Sequence, residues 1–303
     1  MGKLLDCTFR DGGYHTNWVF DEAVVKAYSH LFEVIKNIEL GYVGKRNRFG
    51  DFSVDDYLSF RAADPSVDFY LMTDYSSFDQ GVTDKFIKVG CNFRVAVNFD
   101  KVLESKPVFD AVKSDNKVCL NLAKFNMLEI KDFERVIREV DSWEVDVIYL
   151  ADSFGCCTPE SLSAYFRCCR DSTGKKIGFH AHDNLGMAHQ NSVHALDCGV
   201  DMIDCTLGGM GKGAGNCATE GILSHLGRYV PSLDDLSGRF ASLREEYGWG
   251  TNEFYKLAAA NFVNSTYVFR MIADGKSAEH MRAAIPKLRL CHVFDDKVYQ
   301  EVC

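Results

Sequence analysis

Leu5-Asp6-Cys7-Thr8-Phe9-Arg10-Asp11-Gly12-Gly13 closes the first apolar run of the chain, and Gly178-Phe179-His180-Ala181-His182-Asp183-Asn184-Leu185-Gly186 closes the seventh. The same rhythm repeats around them: a short apolar run, a turn, then an amphipathic stretch. Strands are expected at 3–8, 37–43, 68–73, 92–98, 117–123, 145–151, 176–182 and 202–206. Helices are expected at 21–35, 54–62, 82–89, 101–113, 130–142, 159–170 and 187–198, several opened by a cap such as Thr158-Pro159. Eight strands alternating with helices suit a closed barrel or an open doubly wound sheet. The chemically loaded residues lie after the first and seventh strands. In a closed barrel the two ends of the series are neighbours, so these residues can meet at one mouth. The pattern therefore predicts an α/β fold, a (β/α)8 TIM barrel over residues 1–230.

The remainder, 231–303, changes character. Residues 233–243, 253–272 and 277–284 read as helices, with a break at Tyr247-Gly248-Trp249-Gly250. A short helical appendage is expected there, packed on the barrel or on a second copy, and a homodimer through it is the expected assembly.

Of 303 residues, 47% are hydrophobic and 25% charged, which suits one large buried core rather than a disordered chain. The formal charge is −9 and no basic stripe is visible, which argues against nucleic acid as a partner. A local arginine or metal can still hold an anionic substrate. The twelve cysteines are scattered without a C-x-x-C pair. Met1-Gly2-Lys3 runs straight into the first strand without a leader, so reduced thiols in a cytoplasmic protein are expected. No run of about 18 apolar residues exists, so no membrane span is expected.

Alternation along a strand puts residues i and i+2 on one face, so His180 and His182 can present both imidazoles to one point. Two histidines and a carboxylate form a common set for a catalytic divalent ion with positions left open for substrate. The first strand offers two carboxylates. Strict alternation groups Asp6 with Thr8 and Arg10 and turns Asp11 away, but Gly12 and Gly13 allow the chain to bend, so spacing leaves the choice open.

These segments resemble the DRE-TIM metallolyase (HMGL-like) superfamily, most of all its 4-hydroxy-2-oxovalerate aldolase-type pyruvate aldolases. The resemblance rests on Arg10-Asp11-Gly12, on His180 and His182, and on Gly215-Asn216, and in outline it spans the barrel. It implies metal ligation by Asp11, His180 and His182, with Asn216 as a fourth ligand and Mn²⁺ as the ion (Mg²⁺, Co²⁺ and Zn²⁺ being open to the same donors). It implies that Glu39, in Ile38-Glu39-Leu40-Gly41, holds Arg10 or orients the ligands. Arg10, Gly12 and Ser153 would contact a 2-oxo acid. The family carries a histidine four residues after the arginine, where this chain has Tyr14, followed by His15. Either His15, through a shifted loop, or Tyr14 would supply the acid–base group at the aldehyde, or the acceptor differs.

The implied chemistry is carbon–carbon bond making or breaking between a pyruvate-type enolate and an aldehyde. A divalent ion polarises the carbonyl, and Arg10 adds a fixed cation for a carboxylate or a developing oxyanion. A Claisen-type enzyme using an acyl-CoA is the nearest alternative, and a catalytically silent barrel serving as a scaffold is another. His189 and His194 read as packing or surface residues. Asn121 and Lys124, at the end of the fifth strand, are candidates for the mouth.

Overall fold

A computed structural model describes residues 3–43 and 53–303 of the chain; Met1-Gly2, where the absence of a leader was read, lies outside them. Eight parallel strands close into a barrel: β1 (Lys3–Asp6), β2 (Asn37–Tyr42), β3 (Asp68–Asp74), β4 (Asn92–Asn98), β5 (Val118–Ala123), β6 (Val147–Asp152), β7 (Lys176–Ala181) and β8 (Met202–Cys205). Pairing of Lys3 with Met202 and of Asp6 with Cys205 joins the first strand to the last.

Alternation sorts the strand residues into two layers. Leu4, Ile38, Phe69, Leu71, Phe93, Ile148 and Phe179 face outward and join the large core beneath the helices. Leu5, Tyr70, Cys119, Val147, Tyr149 and Met202 face inward and fill the barrel. Gly178 belongs to this inner layer, where a Cβ would sit 2.3 Å from the Tyr149 ring, so only glycine lets the ring cross the interior. The helix Ile130–Asp141 shows how the outer layer is covered: Phe133, Val136, Ile137 and Val140 are buried at helical spacing. Thr158 caps the helix Pro159–Ser172 through a capping box with Ser161.

Three differences from the sequence expectation bear on the mouth and the C-terminal region. The first strand stops at Asp6, not at residue 8. The buried Asp6 carboxylate accepts the Thr8 N–H, the Tyr28 hydroxyl and the Thr219 hydroxyl, and the backbone then coils through one wide helical turn, Thr8–Gly12. The helix expected at 253–272 is two helices, Glu253–Ala260 and Ser265–Ala273, with Phe262 at φ 54 between them and Asn264 capping the second. A further helix, Asp296–Val302, follows.

Leu233, Leu236, Phe240 and Trp249 join the barrel's core, and a separate apolar cluster begins at Tyr255 with Val263, Tyr267, Met271, Ile285 and Leu288. That cluster includes Ala214 from the loop after β8, so the C-terminal helices rest on the barrel's mouth. All twelve cysteines are free thiols, eight of them buried. No helix among the described residues is long and apolar enough to cross a membrane.

Candidate metal centre and barrel mouth

The inward parity that packs Tyr149 and Met202 continues to the C-terminal ends of the strands, where the inward residues become polar: Glu39, Arg94, Asn121, His180 and Asp204. His180 is the last inward residue of β7, and His182 lies just past the strand, bridged to Asn216 across an isolated antiparallel pair. The turn after β1 brings Asp11 to the same point, its N–H bonded to the Cys7 carbonyl. Because the chain coils from Thr8 onward, strand alternation no longer applies to Asp11: its carboxylate lies beside His180 and His182, while that of Asp6 faces Tyr28 and Thr219.

Ligand-capable atoms of Asp11, His180 and His182 all lie within 4.8 Å of one another. His180 Nδ1 sits 2.9 Å from Asp204 Oδ2, and its Nε2 lies 3.8 Å from Asp11 Oδ2. A carboxylate at Nδ1 fixes the proton there and leaves the Nε2 lone pair toward Asp11, an arrangement recurrent in metal-binding histidines. Asn216 Nδ2 donates to Asp11 Oδ2 at 2.5 Å. His182 Nδ1 and Asn216 Oδ1 are buried without a hydrogen-bond partner among the described residues. Such orphaned atoms are costly unless something satisfies them. One carboxylate, two imidazoles and an amide, with orphaned atoms among them, fit a divalent ion.

The charges agree with that fit. Burial pushes the Asp11 carboxyl up, but the Arg10 guanidinium, then His182 and His180, and the Asn216 amide together hold it well below the usual carboxylate range. Burial is the largest influence on His182 and carries it down to about 3, against a smaller upward pull from Asp11. The imidazole is thus neutral at physiological pH, the form that binds metal. An acid-side dependence follows. Between pH 6.5, the ordinary histidine value, and about 3, the unfolded chain binds a proton that the folded imidazole refuses. The metal-free protein should therefore keep this contribution in full above 6.5 and lose it progressively as the pH falls through that window. Urea unfolding from pH 8 to 4 should give a flatter profile for His182→Gln, and parallel profiles would remove the assignment.

A second trio, Cys7, His180 and Asp204, also lies within reach of a common point. It shares His180 with the first. Burial pushes the Cys7 thiol up, and its Sγ–H donates to the Cys205 carbonyl, so it stays protonated and is a poor ligand.

Beneath the centre runs a buried ion-pair network. Arg10 donates from Nε to Glu39 Oε2 at 2.7 Å and from Nη1 to Asp11 Oδ1 at 2.5 Å. Arg94, fully buried inside the barrel, donates from Nη1 to the same Glu39 oxygen at 2.9 Å and from Nη2 to Asp204 Oδ2 at 2.7 Å. Its guanidinium lies 4.1 Å from the Tyr149 ring centre. Arg94 therefore connects the carboxylate that holds Arg10 to the carboxylate that orients His180. Neither Arg94 nor Asp204 was singled out from sequence. The available signal was a charge at an inward position of an apolar strand, as in Asn92-Phe93-Arg94 and Met202-Ile203-Asp204.

Above the centre opens a cavity of about 570 Å³ whose lining includes Arg10, Asp11, Tyr14, Ser153, His180 and His182. Arg10 Nη2 is buried with no partner among the described residues. Ser153 Oγ accepts the Lys124 N–H at 3.2 Å, while Asp152 accepts N–H groups from Cys156 and Cys157 and the helix beyond is capped by Thr158 instead. Asn121 and Lys124 are both buried and both line the cavity. Tyr14 also lines it, with its hydroxyl 3.1 Å from that of Tyr42. His15 does not. Its Nε2 lies 2.8 Å from the Gly211 carbonyl oxygen, and its ring packs toward Trp249 and Phe269. Gly12 is buried beneath the mouth against Met210 and is not part of the lining. Gly211 has to be glycine, since a Cβ would lie 2.3 Å from Asn216 Nδ2 and 2.8 Å from Asp11 Oδ2. His194 hydrogen-bonds Ser163 and His189 packs near His225, as expected of residues outside the site.

Comparison with known proteins places this architecture. Residues 82–230 match the HMGL-like family model. The 4-hydroxy-2-oxovalerate aldolase of Chloroflexus aurantiacus is 38% identical over 110 residues, which is 35% of this chain and only 32% of that protein's length. The oxaloacetate decarboxylase of Mycobacterium tuberculosis is 28% identical across 96% of this chain and 89% of its own. Among solved structures, the N-terminal domain of a candidate aldolase from Bacteroides vulgatus superposes with a TM-score of 0.80 at 30% identity, covering 89% of this chain and 96% of that one. The carboxyl transferase domain of Rhizobium etli pyruvate carboxylase shares the fold, with a TM-score of 0.73 at 17% identity over 94% of this chain and 55% of that one. The family match across the second half of the barrel and the likeness to the Bacteroides domain along nearly the whole chain agree: this protein belongs to the HMGL-like family.

Proposed function

We propose that the chain is a divalent-metal-dependent carbon–carbon lyase of the pyruvate aldolase type, acting on a 2-oxo acid and an aldehyde. The observation that carries this reading is the pair of orphaned buried atoms, His182 Nδ1 and Asn216 Oδ1, beside Asp11 and His180. Asp11, His180 and His182 would hold the ion, with the Asn216 amide turned to offer its oxygen. The ion, Mn²⁺ in our reading, supplies Lewis-acid polarisation of the substrate carbonyl.

The chain's own residues do the rest. Glu39 and Asp11 clamp two edges of the Arg10 guanidinium, which leaves Nη2 to donate to the 2-oxo acid or to the oxygen that becomes anionic when a methyl proton leaves. Ser153 Oγ, just past β6, donates a long bond to the Ala151 carbonyl at 3.4 Å and would turn it to the substrate carboxylate. In condensation the donor's methyl carbon loses a proton and bonds to the aldehyde carbon, and the aldehyde oxygen gains a proton. Tyr14, which lines the cavity, is the group placed to give that proton; cleavage runs the same steps in reverse. Tyr14→Phe should slow condensation about 100-fold, whereas His15→Gln should change it little, as read by product formation from pyruvate and an aldehyde. The reverse pattern would move the role to His15.

The direct test is deuterium exchange into the methyl group of pyruvate by metal-stripped and Mn²⁺-reloaded protein. Exchange that requires the metal supports the reading, and none under any divalent ion despite bound metal would sink it. A second reading, decarboxylation of oxaloacetate, is favoured by the near full-length likeness to the Mycobacterium tuberculosis protein. It passes through the same enolate, and release of CO₂ from oxaloacetate separates the two.

A further inference from the structure

Cys156 and Cys157 stand side by side in the loop that runs from the end of β6 to the cap at Thr158. In a strand their side chains would point to opposite faces. Here the backbone is bent, and both N–H groups converge on the Asp152 carboxylate, at 3.1 and 3.0 Å. The same bend sends both sulfurs to one side. There the Asn126 amide donates to Cys156 Sγ at 3.1 Å and to Cys157 Sγ at 3.5 Å, while its Oδ1 is buried with no partner among the described residues. The Cys157 thiol in turn donates to the Cys156 sulfur. That bond, then burial and the nearby Asp152 charge, hold the Cys157 proton on, well above the usual thiol range.

Cys156 is half-buried and within reach of solvent, whereas Cys157 is buried behind it. An accessible sulfur with a second thiol bonded to it is the arrangement of an attacking and a resolving cysteine. The chain's other adjacent pair lacks this geometry. Cys168 and Cys169 lie inside the helix Pro159–Ser172, where neighbours point about 100° apart, and Cys168 is turned toward Ser172. The loop that carries Cys156 and Cys157 is also pressed against the candidate metal centre. Gly155, at φ 55, packs so closely on the chain after β7 that a Cβ would sit 2.8 Å from the His182 carbonyl oxygen. Its own carbonyl accepts the Leu185 N–H at 3.1 Å. Asn184 donates to the Phe154 carbonyl and accepts from the Ala214 N–H, which ties together the loops after β6, β7 and β8.

We propose that Cys156 and Cys157 form a reversible vicinal disulfide, and that closing it weakens the ion site through His182. The Cys156 thiolate attacks a small-molecule disulfide, forming a mixed disulfide and expelling a thiolate that takes up the proton Cys156 lost. The Cys157 sulfur then attacks the Cys156 sulfur, the bond to the small molecule breaks, and a second thiol leaves with the Cys157 proton. Two protein thiols are oxidised and one small disulfide is reduced to two thiols. The product is an eight-membered ring that contains the peptide between the two residues. Disulfides ordinarily join Cα atoms about 4.4–6.8 Å apart, whereas neighbours across a trans peptide are about 3.8 Å apart. Closing the ring therefore distorts that peptide, loosens its N–H groups from Asp152 and drives Gly155 against the segment that carries His182. Strained bonds of this kind belong to the labile, regulatory class of disulfide.

The effect on the ion rests on the metal centre proposed above, and the experiment keeps the two failures apart. Metal-free protein, reduced or equilibrated with glutathione disulfide, would be mapped by mass spectrometry and then titrated with Mn²⁺. The peptide holding Cys156 and Cys157 should lose two hydrogens and regain them with dithiothreitol, while the one holding Cys168 and Cys169 keeps both thiols. Oxidation should lower Mn²⁺ affinity about tenfold, the scale on which groups that orient ligands act. Cys156→Ser should bind Mn²⁺ like the reduced native protein, with or without the oxidant. Two free thiols after treatment, or a stable glutathione adduct on Cys156, overturn the inference. So does a disulfide that leaves Mn²⁺ affinity unchanged, or a loss of affinity that persists in Cys156→Ser. Failure of the reduced protein to bind Mn²⁺ removes the metal centre and the regulation with it, and the mapping alone then decides the disulfide.

Discussion

Asp11→Ala protein should bind Mn²⁺ at least about 1000-fold more weakly than the native chain and show no measurable pyruvate exchange, the loss expected when several kcal/mol of Lewis-acid assistance disappear. Asp11 is the only carboxylate of the trio with His180 and His182. It also accepts from Arg10 and from Asn216, so its removal strips the centre of its charge and loosens two further groups. Asp11→Asn separates these effects. The amide keeps the volume and one hydrogen bond but not the charge, and it should restore packing without restoring affinity. Titration calorimetry with Mn²⁺ and the metal-induced rise in melting temperature check both variants. A ligand present at 100 times its Kd stabilises by about 2.7 kcal/mol, so the native protein should show a clear shift and Asp11→Ala none. Undiminished affinity in Asp11→Ala would remove the proposed centre.

Arg94→Met should be the most destabilising single change in the barrel. The side chain is fully buried, and its two ion pairs leave Glu39 and Asp204 in the interior with a cation between them. Removing one partner of a buried pair strands the other, at about 3–5 kcal/mol. In a chain of this size that corresponds to a fall of roughly 10 °C in melting temperature. A generic core lesion would do the same, so a second readout matters. Asp204 orients His180 and Glu39 holds Arg10, so Mn²⁺ affinity should drop about 10–100-fold even at temperatures where the variant is folded. Exchange should respond through the looser Arg10 as well. A variant that loses stability but binds Mn²⁺ normally would show that Arg94 only fills space. Restoring the charge with lysine should recover little, because one ammonium cannot reach Glu39 and Asp204 with the geometry of the guanidinium fork.

Much of this site was legible in the sequence because it follows local rules. Every expected strand is present with ends shifted by no more than two residues, and the pairing of His180 with His182 follows from alternation alone. The choice between Asp6 and Asp11 was not legible. It depends on where the strand stops, and that is decided by Tyr28 and Thr219, which are distant in sequence and hydrogen-bond Asp6. Arg94 and Asp204 stayed hidden for a related reason. Each is a charge in an apolar run, and what justifies it is a partner 110 residues away. The split at Phe262 was concealed because Asn261-Phe262-Val263-Asn264 contains neither glycine nor proline and continues the apolar pattern. His292 reads as part of a C-terminal tail, and only the fold carries its ring back against Phe99 and Phe154.

The pairing of β1 with β8 has a consequence for how the protein acquires its activity. Asp11 and His180 are separated by most of the barrel, and they meet only when the last strand zips onto the first. Contacts between such remote positions form late, since the entropy of closing the intervening chain must be met before they give anything back. Affinity for an ion at the proposed centre should therefore arise in the final event of assembly, and a nascent chain lacking its eighth strand should be blind to metal. In refolding from denaturant, Mn²⁺ should leave the early rise of secondary structure untouched and slow only unfolding, so that the ion acts as a clasp on a finished ring and not as the seed around which the ring is built.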